Sequence, residues 1–153
     1  MCAEWHGHCD PDLFGDELAM LGNLYNQALI GCEDNNHGAV VNRALRRMGY
    51  PRLFYRREID DRTNHKTEKL GWLTTSVTKP VMVNSFAQAC RDGAVVPSKE
   101  TVEEMCTFVM DDAGKMGAQS GLFDDRVIAS CIASEIRKYS GLESIYPSLK
   151  RRQ

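Results

Sequence analysis

The chain has 153 residues and a mass of 17.2 kDa, the size of one ordinary domain, and its 42% apolar and 26% charged residues are a globular composition. No run approaches the roughly 20 apolar residues that span a bilayer, and the opening MCAEWHGHCDPD has neither the basic nor the apolar region of a secretory signal, so a cytoplasmic protein with no membrane partner is expected. The net charge of −2 conceals a segregation: residues 1–42 hold seven acids and no Lys or Arg, residues 43–79 hold ten basic residues against four acids, and Lys150, Arg151 and Arg152 close a basic tail, 141–153.

The alternation of Ala3, Trp5 and Gly7 with Glu4, His6 and His8 predicts a half-buried strand over Met1–His8. Asp10-Pro11 pairs an N-cap with a proline at the first helical position. Phe14, Leu18, Leu21, Tyr25 and Ala28 follow as one helical face. The apolar run Ala28–Cys32, ending at Glu33, predicts a buried strand. Val40, Val41, Ala44, Leu45 and Met48 then predict a helix closed by Gly49 and Pro51. Leu53–Ile59 reads as a further strand, and the alternation of strands with helices argues for an α/β layer fold.

Residues 60–78 are polar without helical period, a loop or irregular hairpin. Thr78-Lys79-Pro80 opens a helix with Met82, Val83, Phe86, Ala87 and Cys90 as its stripe and Gly93 as its stop. A short strand is expected over Ala94–Val96. Ser98 caps a helix carrying Val102, Met105, Cys106 and Val109. Glycines interrupt 114–121, and a last helix opens at Asp124-Asp125 to bury Ile128, Cys131, Ile132 and Ile136.

The six cysteines show no C-x-x-C pair, and Cys32, Cys90, Cys106 and Cys131 fall in apolar runs, so reduced, buried thiols are expected. His6, His8 and Cys9 have the chemistry of zinc ligands, but a fourth ligand is missing and a strand's exposed face explains them as well. Cys106 and Ser120 have no base beside them, and no phosphate-binding glycine loop is present. Two places expose carboxylates where chemistry is commonly sited. Glu33 ends a buried strand, and Asp124-Asp125 open a helix whose dipole favours negative charge. Such oxygen ligands suit Mg²⁺ or Mn²⁺, and a two-metal site would hydrolyse a phosphodiester; a first loop residue and a helix cap are the plain alternatives. Arg43, Arg46, Arg47, Arg52, Arg56 and Arg57, with Tyr50, Phe54 and Tyr55 interleaved, could track a DNA backbone or form a solvated face.

Four strings occur in one order: Glu33-Asp34-Asn35-Asn36-His37-Gly38, Gly49-Tyr50-Pro51, Gly71-Trp72 with Thr78-Lys79-Pro80, and Gly121-Leu122-Phe123-Asp124-Asp125-Arg126-Val127. Together, over residues 1–140, they make the chain resemble the C-terminal nuclease domain of the large terminase subunit of tailed bacteriophages. The resemblance implies an RNase H-like mixed sheet flanked by helices and a Mg²⁺- or Mn²⁺-dependent endonuclease that cuts concatemeric DNA during genome packaging. It implies Glu33 as the second catalytic acid and metal ligand and Asp125 as the third, turned inward with Ile128, with Asp124 as a helper. Arg43, Arg46, Arg47, Arg52, Arg56, Arg57, Lys66, Lys69 and Lys79 would hold double-stranded DNA. The terminase ATPase domain, the small terminase subunit and the portal would be its partners in the host bacterial cytoplasm.

Two departures qualify the likeness. Phe123 stands where the family often has histidine in His-Asp-Asp. The chain is expected to begin at what corresponds to the third strand, without the first two strands, the first catalytic acid and the ATPase motor, which would leave an unpaired edge on Leu29–Cys32 or force the Met1–His6 strand to pair with it directly. The chain alone is therefore expected to self-associate and to cut DNA weakly or not at all. The competing readings are a non-catalytic prophage remnant that binds DNA or a partner, and another RNase H-like nuclease of the resolvase or transposase type.

Overall fold

The structure, a computed structural model, describes residues 1–35, 37–59 and 66–140. The expected basic tail, Asn36 and the loop residues 60–65 lie outside them. Among the described residues there are five α-helices and two antiparallel two-stranded sheets, a mixed α/β architecture. None of these helices is long and apolar enough to cross a membrane. The chain divides into two compact units, one of His6–Thr75, the other of Met1–Trp5 with Ser76–Gln153.

In the His6–Thr75 unit, helix α1 runs Pro11–Leu24 behind an extended Asp10, with the proline in its first turn. Helix α2 (Gly38–Arg47) crosses it so closely that a Cβ on Gly15 would sit 2.8 Å from the Ala44 Cβ. Phe14 and Leu18 of α1 pack on Val41, Leu45 and Tyr50, the core of the unit. Helix α2 stops by a left-handed Gly49 (φ 70°). Gly49 N–H donates to Arg46 O (3.1 Å) and Tyr50 N–H to Leu45 O (3.1 Å), which satisfies two end carbonyls while Tyr50 joins the core against Leu45. The Tyr50 hydroxyl donates to Ala28 O at 2.6 Å.

The segment entering Glu33 is extended, as expected of a strand, but it pairs through single bridges instead of a ladder. Ile30 bridges in parallel to Leu53, which follows α2 in the chain, and Glu33 bridges Trp72 in parallel. Strand β1 (Tyr55–Ile59) forms a hairpin with β2 (Lys66–Leu70), in register Tyr55↔Leu70 to Ile59↔Lys66. Residues 66–69 are all exposed, so β2 has no apolar alternation and its backbone pairing alone makes it a strand.

In the other unit, helix α3 (Thr78–Arg91) packs on α5 (Asp125–Ile136), as does α4 (Lys99–Thr107). Met82, Thr101 and Cys131 are fully buried. Gly93 (φ 94°) ends α3 by the same device as Gly49, with Gly93 N–H on Cys90 O and Ala94 N–H on Ala89 O. The Ser98 hydroxyl caps α4 by accepting from Thr101 N–H at 3.1 Å. A hairpin of β3 (Phe108–Met110) and β4 (Met116–Ala118) follows, its turn held by Asp111 Oδ1, which accepts from Ala113 N–H and Lys115 N–H.

Three expectations are corrected here. Residues 1–10 have no regular structure; the alternation marks a segment tied down by polar contacts, with the Met1 ammonium donating to Val95 O and Glu4 bonded to Thr101 and Arg126. Ala94–Val96 is not a strand, and Val95 is 70% exposed. Helix α4 turns Thr101 and Glu104 inward and leaves Val102, Cys106 and the adjoining Val109 exposed, because hydrogen bonds rather than apolar burial fix its rotation.

Candidate functional site

Glu33 closes the extended segment, half-buried, at the C-terminal end of the arrangement in which Ile30 and Leu53 flank α2. Its backbone is held on both sides. Trp72 N–H donates to Cys32 O (2.8 Å), and Asp34 N–H donates to Trp72 O (2.6 Å). Gly71, at φ 85°, supplies the left-handed turn that presents Trp72 in this register. On the helix side, Gly38 lies so close that any Cβ there would overlap the Glu33 carbonyl oxygen. The Glu33 carboxylate accepts a hydrogen bond at Oε1 from Asn35 Nδ2 at 3.0 Å.

Arg56 works on the same segment. Its Nη1 donates to Asp34 Oδ2 (2.9 Å), Leu70 O (2.9 Å) and Gly71 O (3.2 Å), and its Nε donates to Glu58 Oε1 (2.8 Å). Burial opposes the Arg56 charge, but the bonds to Glu58 and Asp34 outweigh it and raise its pKa above the ordinary value. Arg56, assigned from the sequence to DNA, is thus spent inside the protein. Arg43, Arg46 and Arg47 stand on the exposed side of α2 at helical spacing, with Arg43 Nε on its own helix's Ala39 O at 3.2 Å. Arg52, Arg57, Lys66 and Lys69 are exposed as well, Arg57 facing Glu68 at 3.6 Å and Lys69 paired with Glu58. The interleaved aromatics divide: Tyr50 and Phe54 are core, and Tyr55 is 42% exposed.

Asp124 and Asp125 belong to the other unit, at the start of α5. Asp125, expected to turn inward, is exposed, and Asp124 is half-buried. Asp124 lies three residues before Val127 and seven before Cys131, both buried on the inner side of α5, and so stands on that side at the helix start. Asp124 does not cap its own helix. Glu104 does so from α4, its Oε2 accepting from Arg126 N–H (2.8 Å) and Val127 N–H (3.3 Å). The Asp124 carboxylate is thereby left to Lys79, whose Nζ lies 3.5 Å from Oδ2 and 5.7 Å from the Phe108 ring centroid. Glycine at 117 keeps the space beside this pair open; a Cβ there would stand 3.5 Å from Asp124 Oδ2.

A network missed in the sequence fastens the N-terminal segment. Thr101 Oγ1 donates to Glu4 Oε2 (2.6 Å), and Arg126 spans Glu4 Oε1 and Glu104 Oε1, each at 2.7 Å. The Thr101 bond, with those from Ser98 and Arg126, lowers the Glu4 pKa against a smaller burial effect. The Arg126 pKa is raised, chiefly by its hydrogen bond to Glu104. The legible signal was Thr101 and Glu104, a polar pair three apart on one helical face.

The six cysteines form no disulfide. Cys131 is buried, Cys32 and Cys90 are half-buried, and Cys106, expected to be buried, is exposed. Burial pushes the pKa of both Cys32 and Cys131 up to about 12. His6, His8, Cys9 and Ser120 are exposed. Among the described residues, no three His, Cys, Asp or Glu side chains gather into a group that could hold a metal ion. No protein-family model matches the chain, and comparison with curated proteins gives no match.

Proposed function

We propose that the chain is the metal-dependent endonuclease part of a phage or prophage large terminase subunit, RNase H-like in fold, acting on double-stranded DNA during genome packaging. The observation that carries this reading is Glu33: a half-buried acid ending an extended segment that pairs in parallel with Leu53 across α2. That is where α/β folds bind ligands. Glu33, Asp124 and Asp125 would hold Mg²⁺ or Mn²⁺, and their hard oxygen donors fit such ions. Bound there, divalent cations supply the charge that activates water and stabilises the leaving oxygen of a phosphodiester. Arg43, Arg46 and Arg47, exposed on α2, match the fork geometry of phosphates; the ATPase domain, small subunit and portal complete the proposed assembly.

One observation favours the second reading, a non-catalytic DNA-binding remnant: Asp124 is already ion-paired with Lys79. Duplex binding separates the two. The nuclease reading predicts roughly tenfold tighter binding of a labelled duplex in Ca²⁺ than in EDTA at matched ionic strength, because the ion bridges carboxylates and phosphate. Glu33→Ala and Asp124→Ala each abolish that gain. A remnant binds more weakly in Ca²⁺, through competition for phosphates, and both variants follow the unsubstituted chain; that result refutes the nuclease reading.

A further inference from the structure

We infer that the outer face of α1 docks a second copy of this chain through that copy's α2 arginines; the inference is independent of the nuclease reading. On α1, Leu13, Met20 and Leu24 are 54%, 64% and 76% exposed. Steps of seven and four residues place all three on one stripe of the helix. The stripe lies opposite Gly15, which abuts Ala44 of α2, and Gly22, which abuts Tyr50. Single exposed apolar residues are ordinary, but an aligned row about 16 Å long on the back of a helix is a contact surface.

Charge selects the occupant. Asp12, Asp16 and Glu17 are exposed around the stripe, and α1 contains no Lys or Arg. Two α1 faces laid together would set these acids against each other, which disfavours pairing of α1 with itself. The outer face of α2 is the complement. It carries Arg43 with Arg46 and Arg47 three and four residues further on, all exposed, and α2 contains no acid. Among the described residues, none of these six charged side chains is in an ion pair. Arginine stems cover apolar surface while their guanidinium groups reach carboxylates at its edge. Because α1 and α2 pack on each other through their inner faces, their outer faces point away from each other. Two copies therefore cannot exchange both contacts, and each uses α1 toward one neighbour and α2 toward another, head to tail. The same arginines are proposed above to meet phosphate, so a duplex and a second copy would exclude each other.

The test is sedimentation velocity of the full chain from about 10 µM to about 1 mM, at about 0.05 M and about 0.5 M salt. Association is expected to grow with concentration and to weaken about tenfold or more at the higher salt, because the contact is small and charged. Met20→Ser/Leu24→Ser removes the apolar stripe, and Arg43→Glu/Arg46→Glu/Arg47→Glu reverses the α2 face. Each variant alone is expected to be monomeric. Mixed, they are expected to form a 1:1 dimer and nothing larger, since one keeps an intact α2 face and the other an intact α1 face. A chain that is monomeric at every concentration overturns the inference, as does a mixture that stays monomeric. Association that salt leaves unchanged, or that survives either variant, shows a different contact or a different occupant of α1 and overturns it too. Thermal unfolding checks that both variants fold. Should either fail, Asp16→Ala and Arg43→Ala, at exposed sites, are each expected to weaken association severalfold, and unchanged association in both overturns the inference.

Discussion

Removing the Glu104 carboxylate tests whether α5 is started from another helix. Glu104 is 9% exposed, and its Oε2 accepts from Arg126 N–H at 2.8 Å and Val127 N–H at 3.3 Å. These are the second and third residues of α5, the donors a cap normally serves. Losing a cap costs about 1 kcal/mol in ordinary settings. Here Val127 is buried, and stranding a buried donor costs about 1–3 kcal/mol. Glu104→Ala should therefore cost about 2–4 kcal/mol, a large part of the roughly 5–15 kcal/mol of a typical domain. The Arg126 guanidinium keeps Glu4 as a partner and adds little to the loss. Glu104→Gln retains one acceptor oxygen and should cost about half as much. Glu103→Ala, next door but exposed and paired with Lys99, should cost less than about 0.5 kcal/mol. Urea unfolding followed by far-UV circular dichroism measures all three. A Glu104→Ala loss no larger than that of Glu103→Ala refutes the cap.

Three further outcomes follow from the geometry. Gly38→Ala must push α2 away from the Glu33 carbonyl and should cost more than about 2 kcal/mol, whereas Ala at Gly117, with ordinary contact distances around its Cβ, should cost less than about 1 kcal/mol; thermal unfolding compares them. In native protein at pH 8, a thiol reagent should modify Cys2, Cys9 and Cys106 quickly and spare Cys32 and Cys131, whose burial keeps them protonated; peptide mapping after a short pulse reads this out. Glu4 and Glu58 both have lowered pKa values, Glu4 chiefly through Thr101 and Glu58 chiefly through Lys69. Their stabilisation is complete above the ordinary glutamate pKa and is lost as pH falls through the lowered values. Glu4→Gln should accordingly flatten the acid side of the stability curve measured by urea titration at several pH values.

The parts of the fold governed by local chemistry were readable in the sequence. Asp10-Pro11 and Ser98 mark helix starts, Gly49 and Gly93 mark helix ends, and Val41, Ala44 and Leu45 form the buried face of α2, because caps, left-handed glycines and helical periodicity act within a few residues. What escaped depended on distant partners. Strand β2 shows four exposed residues in a row and exists only because β1 pairs with it. The rotation of α4 is fixed by bonds from Glu4 and Arg126, far away in sequence, which no hydrophobic pattern encodes. In the same way, the choice between Asp124 and Asp125 turned on Val127 and Cys131 defining the inner stripe of α5, together with Glu104 taking over the cap. Glu33 was legible as an acid after an apolar run; the roles of Gly38, Asn35 and Arg56 around it needed coordinates.

The proposed reading makes Glu33 a ligand of a divalent ion, and Mn²⁺ titration of ¹⁵N-labelled protein tests it most directly. It predicts paramagnetic broadening of the amides around Glu33 that is lost in Glu33→Ala. Amides there that stay sharp, or broadening that survives Glu33→Ala, would contradict it.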